Sequence, residues 1–188
     1  MVVQPKFKPL QASAFFADGR SSRPIEPGTI ARGELTLNSA FDTGTTDGGK
    51  LVGNIPLKGF DPLETLGVDE ARAARKAALL RGRERFDIFC APCHARTGDG
   101  DGIIVQRGFT KPPSLHELRL REAPAGHFFH VMTHGFGAMY SYASRIPAGD
   151  RWAIVAYIRA LQLSRNAALT DVPAEERGTL ESKEAPAR

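Results

Sequence analysis

The sequence predicts a mainly α-helical domain of about four to five helices, preceded by a long irregular N-terminal arm and followed by a polar tail. Three observations carry this prediction. Residues 68–166 contain several runs of strong helix formers, whereas no apolar period of helix or strand persists through residues 1–66. One short motif, "FCAPCHARTG" at Phe89–Gly98, holds both cysteines of the 188-residue chain. We place the arm at 1–67, the domain at 68–166 and the tail at 167–188.

The arm is rich in proline and glycine, as in "SSRPIEPGTIARGEL" and "FDTGTTDGGKLVGNIP". Strand-like pieces are expected around Glu34–Leu37 and Lys50–Ile55, separated by the turn-rich Thr43–Gly49. An arm with so little core of its own is either disordered or laid against another surface, and apolar anchors such as Phe7, Leu10, Phe15, Phe16, Ile30 and Phe41 favour the second. From Val68 onward, with Asp69 as a candidate N-cap, the run "EARAARKAALLRGRERFDIFC" predicts a helix over about 70–90. "GDGDG" and "FTKPPS" are loops. A short helix is expected near Ser114–Arg119, and a longer one over about Ala125–His134, where Gly135 suits the C-terminal end. The last helix spans about Arg151–Leu163, capped by Asp150, with Trp152, Val155, Ile158 and Leu161 near one face.

Composition narrows the classes. The chain is 41% hydrophobic and 24% charged, as a globular protein is, and no run of about 18 apolar residues predicts a membrane-crossing helix. The start, "MVVQPKFKPL", lacks the apolar core of a signal peptide. The net charge of +4 is not arrayed as a nucleic-acid footprint, so no nucleic-acid partner is expected. Residues 1–66 carry seven charges of each sign, whereas 67–122 carry eleven basic and eight acidic residues, so the excess gathers around the cysteine motif.

That motif has four readings. A redox dithiol needs a strand–helix–strand setting, which is missing. A structural zinc site needs four ligands, and no second short knuckle is present. A disulfide gives no reason for the adjacent histidine. A covalent haem c accounts for every position: Cys90 and Cys93 each add across one vinyl group of the porphyrin, and His94 follows as the proximal iron ligand.

The distal side has several candidates. Met139 lies 45 residues beyond His94 in the loop "GFGAMYSYASRIP", where glycines let the backbone approach the ring. Met132 sits mid-helix in "HFFHVMTH" and reads as core. Met139 is therefore the expected sixth ligand, with His134 the alternative; a thioether there gives an electron-transferring iron of raised potential. His127, His130 and His134, spaced i, i+3, i+7, read as a helix flank near the haem or the surface rather than a metal site. His116 reads as a polar residue at a helix start.

The combination "FxxxCxxCHxxxGxGxG", a Pro-Pro-Ser-Leu loop, "GAMxSYA" and "DRWAIVAYIRALQ" resembles a class I cytochrome c domain over about residues 70–165. The resemblance implies one covalent haem, and a backbone carbonyl near Pro112 or Pro113 accepting the His94 Nδ1 proton. It also implies terminal helices crossing where Gly82 and Phe86 meet Tyr157, and makes Trp152 and Arg145 candidates for propionate contacts, with core packing the equal alternative for Trp152. Many members carry proline after the ligating methionine; here Tyr140 follows.

The arm "QPKFKPLQASAFFADGRSSRPIEPGTIARGEL" is similar to the N-terminal segment of the mono-haem cytochrome c component of bacterial alternative complex III. That resemblance implies a subunit for electron transfer, not a catalyst alone, working with multi-haem, iron–sulfur and integral membrane subunits. It would pass electrons to a downstream cytochrome c or terminal oxidase. It also implies export to the periplasmic side of the inner membrane, with peripheral attachment or a lipid anchor in a segment not present in this chain. The rival expectations are a free periplasmic electron carrier and a haem enzyme or sensor with an open distal site.

Overall fold

The computed structural model describes residues 4–8, 10–24, 26, 29–30, 38–60, 66–172, 174 and 177–178. The expected strand at Glu34–Leu37 and most of the C-terminal tail lie outside the described residues. The chain divides into two compact units, Met1–Leu37 and Asn38–Arg188. In the first, an isolated bridge pairs Ala12 with Arg20 around a turn closed by Ser13 N–H to Gly19 O at 2.9 Å. Arg23 pairs with Asp18 at 2.7 Å and lies over the Phe16 ring. Phe7, Leu10, Phe15 and Ile30 are exposed.

The second unit is helical: among the described residues it holds α1 (Ser39–Thr43), α2 (Val68–Phe89), α3 (Ala91–His94), α4 (Ile103–Gln106), α5 (Leu118–Glu122), α6 (Ala125–His134) and α7 (Ala148–Asn166), with no strand. A 3₁₀ turn, Leu169–Asp171, follows. Several boundaries differ from the sequence reading. Asp69 and Asp150 lie in the first turns of α2 and α7 rather than at their caps, where a carboxylate still favours the positive end of the helix dipole. The expected helix at Ser114–Arg119 forms four residues later as α5, because Pro112 and Pro113 hold the preceding chain extended. The expected strand at Lys50–Ile55 is reduced to an isolated Thr45–Leu51 bridge.

The two long helices, α2 and α7, form the frame. They cross backbone to backbone: a Cβ on Gly82 would stand 2.0 Å from Ala153 O and 3.0 Å from Tyr157 Cβ. One turn along, Phe86 is fully buried and meets the Tyr157 ring edge-on, with centroids 5.4 Å apart. The crossing is thus the one expected from Gly82, Phe86 and Tyr157. Arg81 locks its flank with a two-pronged pair to Asp150, both contacts at 2.8 Å. Helix α6 packs on α7 through Phe129, whose ring stacks on Trp152 at 4.3 Å.

Residues 38–60, which the sequence places in the arm, lie in the same compact unit as these helices. Asn38 caps α1 by accepting the Phe41 N–H at 3.1 Å, and Phe41 O accepts the indole N–H of Trp152 at 2.7 Å. The chain then runs along the start of α6, where Gly126 N–H donates to Val52 O at 2.8 Å and Ala125 N–H to Gly53 O at 3.3 Å. Ile55 is buried in the core, and Phe41, Val52, Leu57 and Phe60 pack against it. The residues are Pro- and Gly-rich without a period because they cover the domain as irregular chain. Beyond the short helix α1, bonds to α6 and α7 join this segment to the domain.

The crossing gives a direct test. Alanine at position 82 gains about 1 kcal/mol of helix propensity, yet its methyl has no space between α2 and α7. We expect Gly82→Ala to lose about 1–3 kcal/mol by overpacking, read as a lower midpoint in urea unfolding of the intact protein. A midpoint at or above wild type would show that the helices have room to part.

Candidate functional site

Helix α2 delivers the cysteine motif. It ends at Cys90, whose N–H still bonds Phe86 O at 2.9 Å, and the chain tightens at once into the single turn α3. In that turn Cys93 N–H and His94 N–H both donate to Cys90 O, at 3.1 and 2.8 Å. Ala95, at φ +60°, then reverses the chain. The "GDGDG" loop folds back beneath the turn: Gly100 N–H donates to His94 O at 2.9 Å and Gly102 N–H to Cys93 O at 3.0 Å. A Cβ on Gly102 would stand 2.2 Å from Pro92 O, which is why only glycine fits there. The turn that presents Cys90, Cys93 and His94 is therefore held from both sides by backbone.

Both thiols are unpaired and partly buried. Burial, with a smaller contribution from Cys93, pushes the Cys90 thiol up to about 12, so it is a neutral thiol at ordinary pH. Burial likewise lowers His94 from the usual imidazole range. It therefore stays neutral near pH 7, the form in which an imidazole nitrogen ligates metal. The His94 Nδ1 atom is buried and has no hydrogen-bond partner among the described residues. The expected carbonyl bond to it is not made. Pro113 is exposed, whereas Pro112 O stands against Gly100, 2.4 Å from where a Cβ would lie. Pro112, not Pro113, thus brings a carbonyl to the loop beneath His94.

The second half of the site hangs from α6. Gly135, at φ +80°, ends that helix, and Phe136 and Met139 exchange backbone bonds of 2.9 and 3.0 Å across a tight turn. The loop is tied back by Tyr142 N–H to Met132 O at 2.8 Å and Ser141 Oγ–H to Thr133 O at 2.6 Å. Met132 is buried, as expected of a core residue, while Met139 is half-buried and packs on the core. Cys90, Ala91, Phe89 and Tyr142 pack against the same core cluster. Tyr142 joins the two halves: its ring meets Phe89 edge-on at 6.3 Å, and its hydroxyl donates to Phe89 O at 3.4 Å. Burial raises the Tyr142 phenol above its ordinary range, and the neighbouring Cys90 and Cys93 act in the same direction. In the sequence Tyr142 stands out only as part of "GAMxSYA"; its position three residues beyond Met139 is the signal that could have found it.

The two expected propionate partners divide. Trp152 gives its indole N–H to Phe41 O and is fully buried between that segment and Phe129, in keeping with the packing alternative that the sequence leaves open for it. Arg145 is exposed, with a charge close enough to act on the Tyr142 phenol, at the edge of the cysteine and methionine region. His116 is not at a helix start; its Nε2–H bonds Thr97 O at 2.7 Å.

The donor set fits a covalently held haem. Two unpaired thiols three residues apart, a neutral, partly buried imidazole and a half-buried thioether supply what a porphyrin and its iron require. Among the described residues no three of His, Cys, Asp and Glu converge, so a zinc site at the cysteines finds no further ligands.

Residues 77–158 match the family model described as "Cytochrome C oxidase, cbb3-type, subunit III". No curated protein matches the chain. The matched stretch runs from α2 into α7 and includes Cys90, Cys93, His94 and Met139. Together with the helical fold, the match supports a class I cytochrome c domain in this part of the chain, a domain type that carries haem c. Such a domain implies an electron-transfer haem protein.

The loop beneath the motif is anchored to α7, and this anchor is acid-sensitive. Asp99 accepts from Arg165, one contact at 2.8 Å, and from Thr97 at 2.7 Å. These bonds, Arg165 first, lower its carboxyl from 3.8 to about 2. A depressed folded-state pKa gives stability that is present above the unfolded value and fades as pH falls from 3.8 towards about 2. The pair is exposed, so its contribution is small. We expect Asp99→Asn to melt a few degrees below wild type at neutral pH and together with it near pH 2. An equal gap at both pH values would show that the pair is not the cause.

Proposed function

We propose that this chain is the mono-haem cytochrome component of a membrane quinol-oxidising assembly of the alternative complex III type. It relays electrons from neighbouring redox subunits to a downstream cytochrome c or terminal oxidase. The carrying observation is the pairing of the Cys90–His94 turn with the Met139 loop through Tyr142. The complex-level reading is supported by the resemblance of the arm, whose apolar residues Phe7, Leu10, Phe15 and Ile30 are exposed within their own unit. The matched family description, which names part of an oxidase, also belongs to a domain that serves a membrane respiratory complex.

Haem c supplies a one-electron Fe(III)/Fe(II) couple. The remaining work falls to residues of this chain. Cys90 and Cys93 would hold the macrocycle through thioethers at the end of α2. His94 offers a neutral imidazole to the iron, kept neutral by burial. Met139 offers a thioether from a loop pinned at Met132, Thr133 and Phe89, so little rearrangement accompanies a change of charge. Arg145 is the remaining candidate for a propionate. Attachment of haem c requires export in bacteria, so the proposed location is the periplasmic face of the inner membrane, peripheral or anchored by a lipid. Among the described residues no helix is long and apolar enough to cross a membrane.

Two measurements test the reading. In Met139→Ala the far-red thioether-to-iron charge-transfer band of the oxidised protein should vanish and carbon monoxide should bind readily. The potential should fall by an amount on the order of 0.1 V, a fraction of the roughly 0.8 V that axial ligands span. An unchanged band would assign the thioether to another methionine such as Met132, whereas a wild-type protein without the band would favour the open-site or His134 alternatives. Truncation should stop at residue 37, because residues 38–60 are part of the domain unit. A chain lacking 1–37 should keep its haem spectrum and lose co-purification with a multi-haem, iron–sulfur membrane complex. Retained co-purification would assign docking elsewhere, and a wild-type chain that travels alone would favour the free carrier.

A further inference from the structure

Two histidines of α6 take no part in the arrangement above. His130 and His134 are four residues apart, which puts their side chains on one face of the helix, one turn above the other. Both are exposed, with ring centroids 4.3 Å apart and planes inclined by 45°. Two imidazoles that share an ion at about 2.0–2.1 Å per nitrogen have centroids roughly 4.5–5 Å apart. A small rotation of either side chain therefore lets both face a single ion.

We propose that His130 and His134 form a two-nitrogen site for a divalent first-row transition-metal ion, with water completing its coordination. The pair closes the last turn of a ten-residue helix, where the negative end of the helix dipole favours a cation. His127 does not join. It is partly buried with its ring edge-on to Phe128 at 5.6 Å, and the positive charges of Arg119 and Arg159 act on it. Those charges keep a cation away from the start of the helix and leave the His134 end free for it. Imidazole ligands rank copper above nickel and zinc. With no third His, Cys, Asp or Glu converging among the described residues, the ion is held reversibly.

The position gives the site a consequence. Met132 O and Thr133 O, in the same turn, hold Tyr142 N–H and Ser141 Oγ–H. An ion that clamps His130 to His134 thus braces the turn from which the Met139 loop hangs. The metal site itself stands on the histidine geometry and does not depend on the haem assignment.

The test uses the full, untagged, haem-loaded chain, titrated with copper(II) chloride and separately with zinc chloride by calorimetry. We expect one equivalent of each ion, copper the tighter. His130→Asn and His134→Asn should each weaken copper at least tenfold, and His127→Asn should leave it unchanged. Wild-type affinity in both the 130 and 134 variants, or no saturable binding to the wild-type chain, would overturn the site. The haem spectrum separates a different outcome. Unchanged axial bands in both variants agree with a surface site, whereas altered bands in His134→Asn alone would assign that residue to the iron and overturn the proposal.

Discussion

The backbone contact between Gly82 and Ala153 is the constraint on which the other parts rest. It brings α2 and α7 together with no side chain between them, and it fixes where α2 ends. The end of α2 is where Cys90 must stand, and the turn that follows is too tight to move independently. Phe86 and Tyr157 fill the crossing, while Arg81 and Asp150 close its solvent side. A glycine inside a helix is unfavourable by about 1 kcal/mol against alanine, and close helix approach is the compensation.

From that frame the two halves of the site are set by different means. The cysteine turn is held by backbone bonds to the loop beneath it, in which positions 100 and 102 have no room for a side chain. The methionine loop is held by three hydrogen bonds reaching α6 and Phe89, one of them from a tyrosine side chain. A covalently attached group needs only that its two anchors keep their spacing, whereas an axial thioether must be positioned by tertiary contacts. The stiffer backbone clamp therefore belongs to the anchors, and the side-chain tether belongs to the loop.

Much of the fold is legible in the sequence because its signals are local. The run from Val68 to Phe89 consists of strong helix formers, and Gly135 marks the end of α6, as expected. The spacing of Cys90, Cys93 and His94 is itself chemistry. Residues 38–60 read as arm because their order comes from bonds to Trp152, Ala125 and Gly126, far along the chain, and irregular segments carry no period. Trp152 is open to both packing and propionate contact in the sequence for the same reason: its acceptor, Phe41 O, lies 111 residues away.

By itself the sequence determined the helical class, the cysteine–histidine spacing that suits a covalent haem and the two candidate axial residues, since each depends on neighbours within a few residues or on residue chemistry alone. Only the tertiary structure decided which polar groups meet. It gave Trp152 to Phe41, Asp99 to Arg165 and Tyr142 to Phe89, and left His94 Nδ1 without a partner among the described residues. Hydrogen bonds and ring contacts act over a few ångströms, and only packing of the helices brings such distant positions within that range.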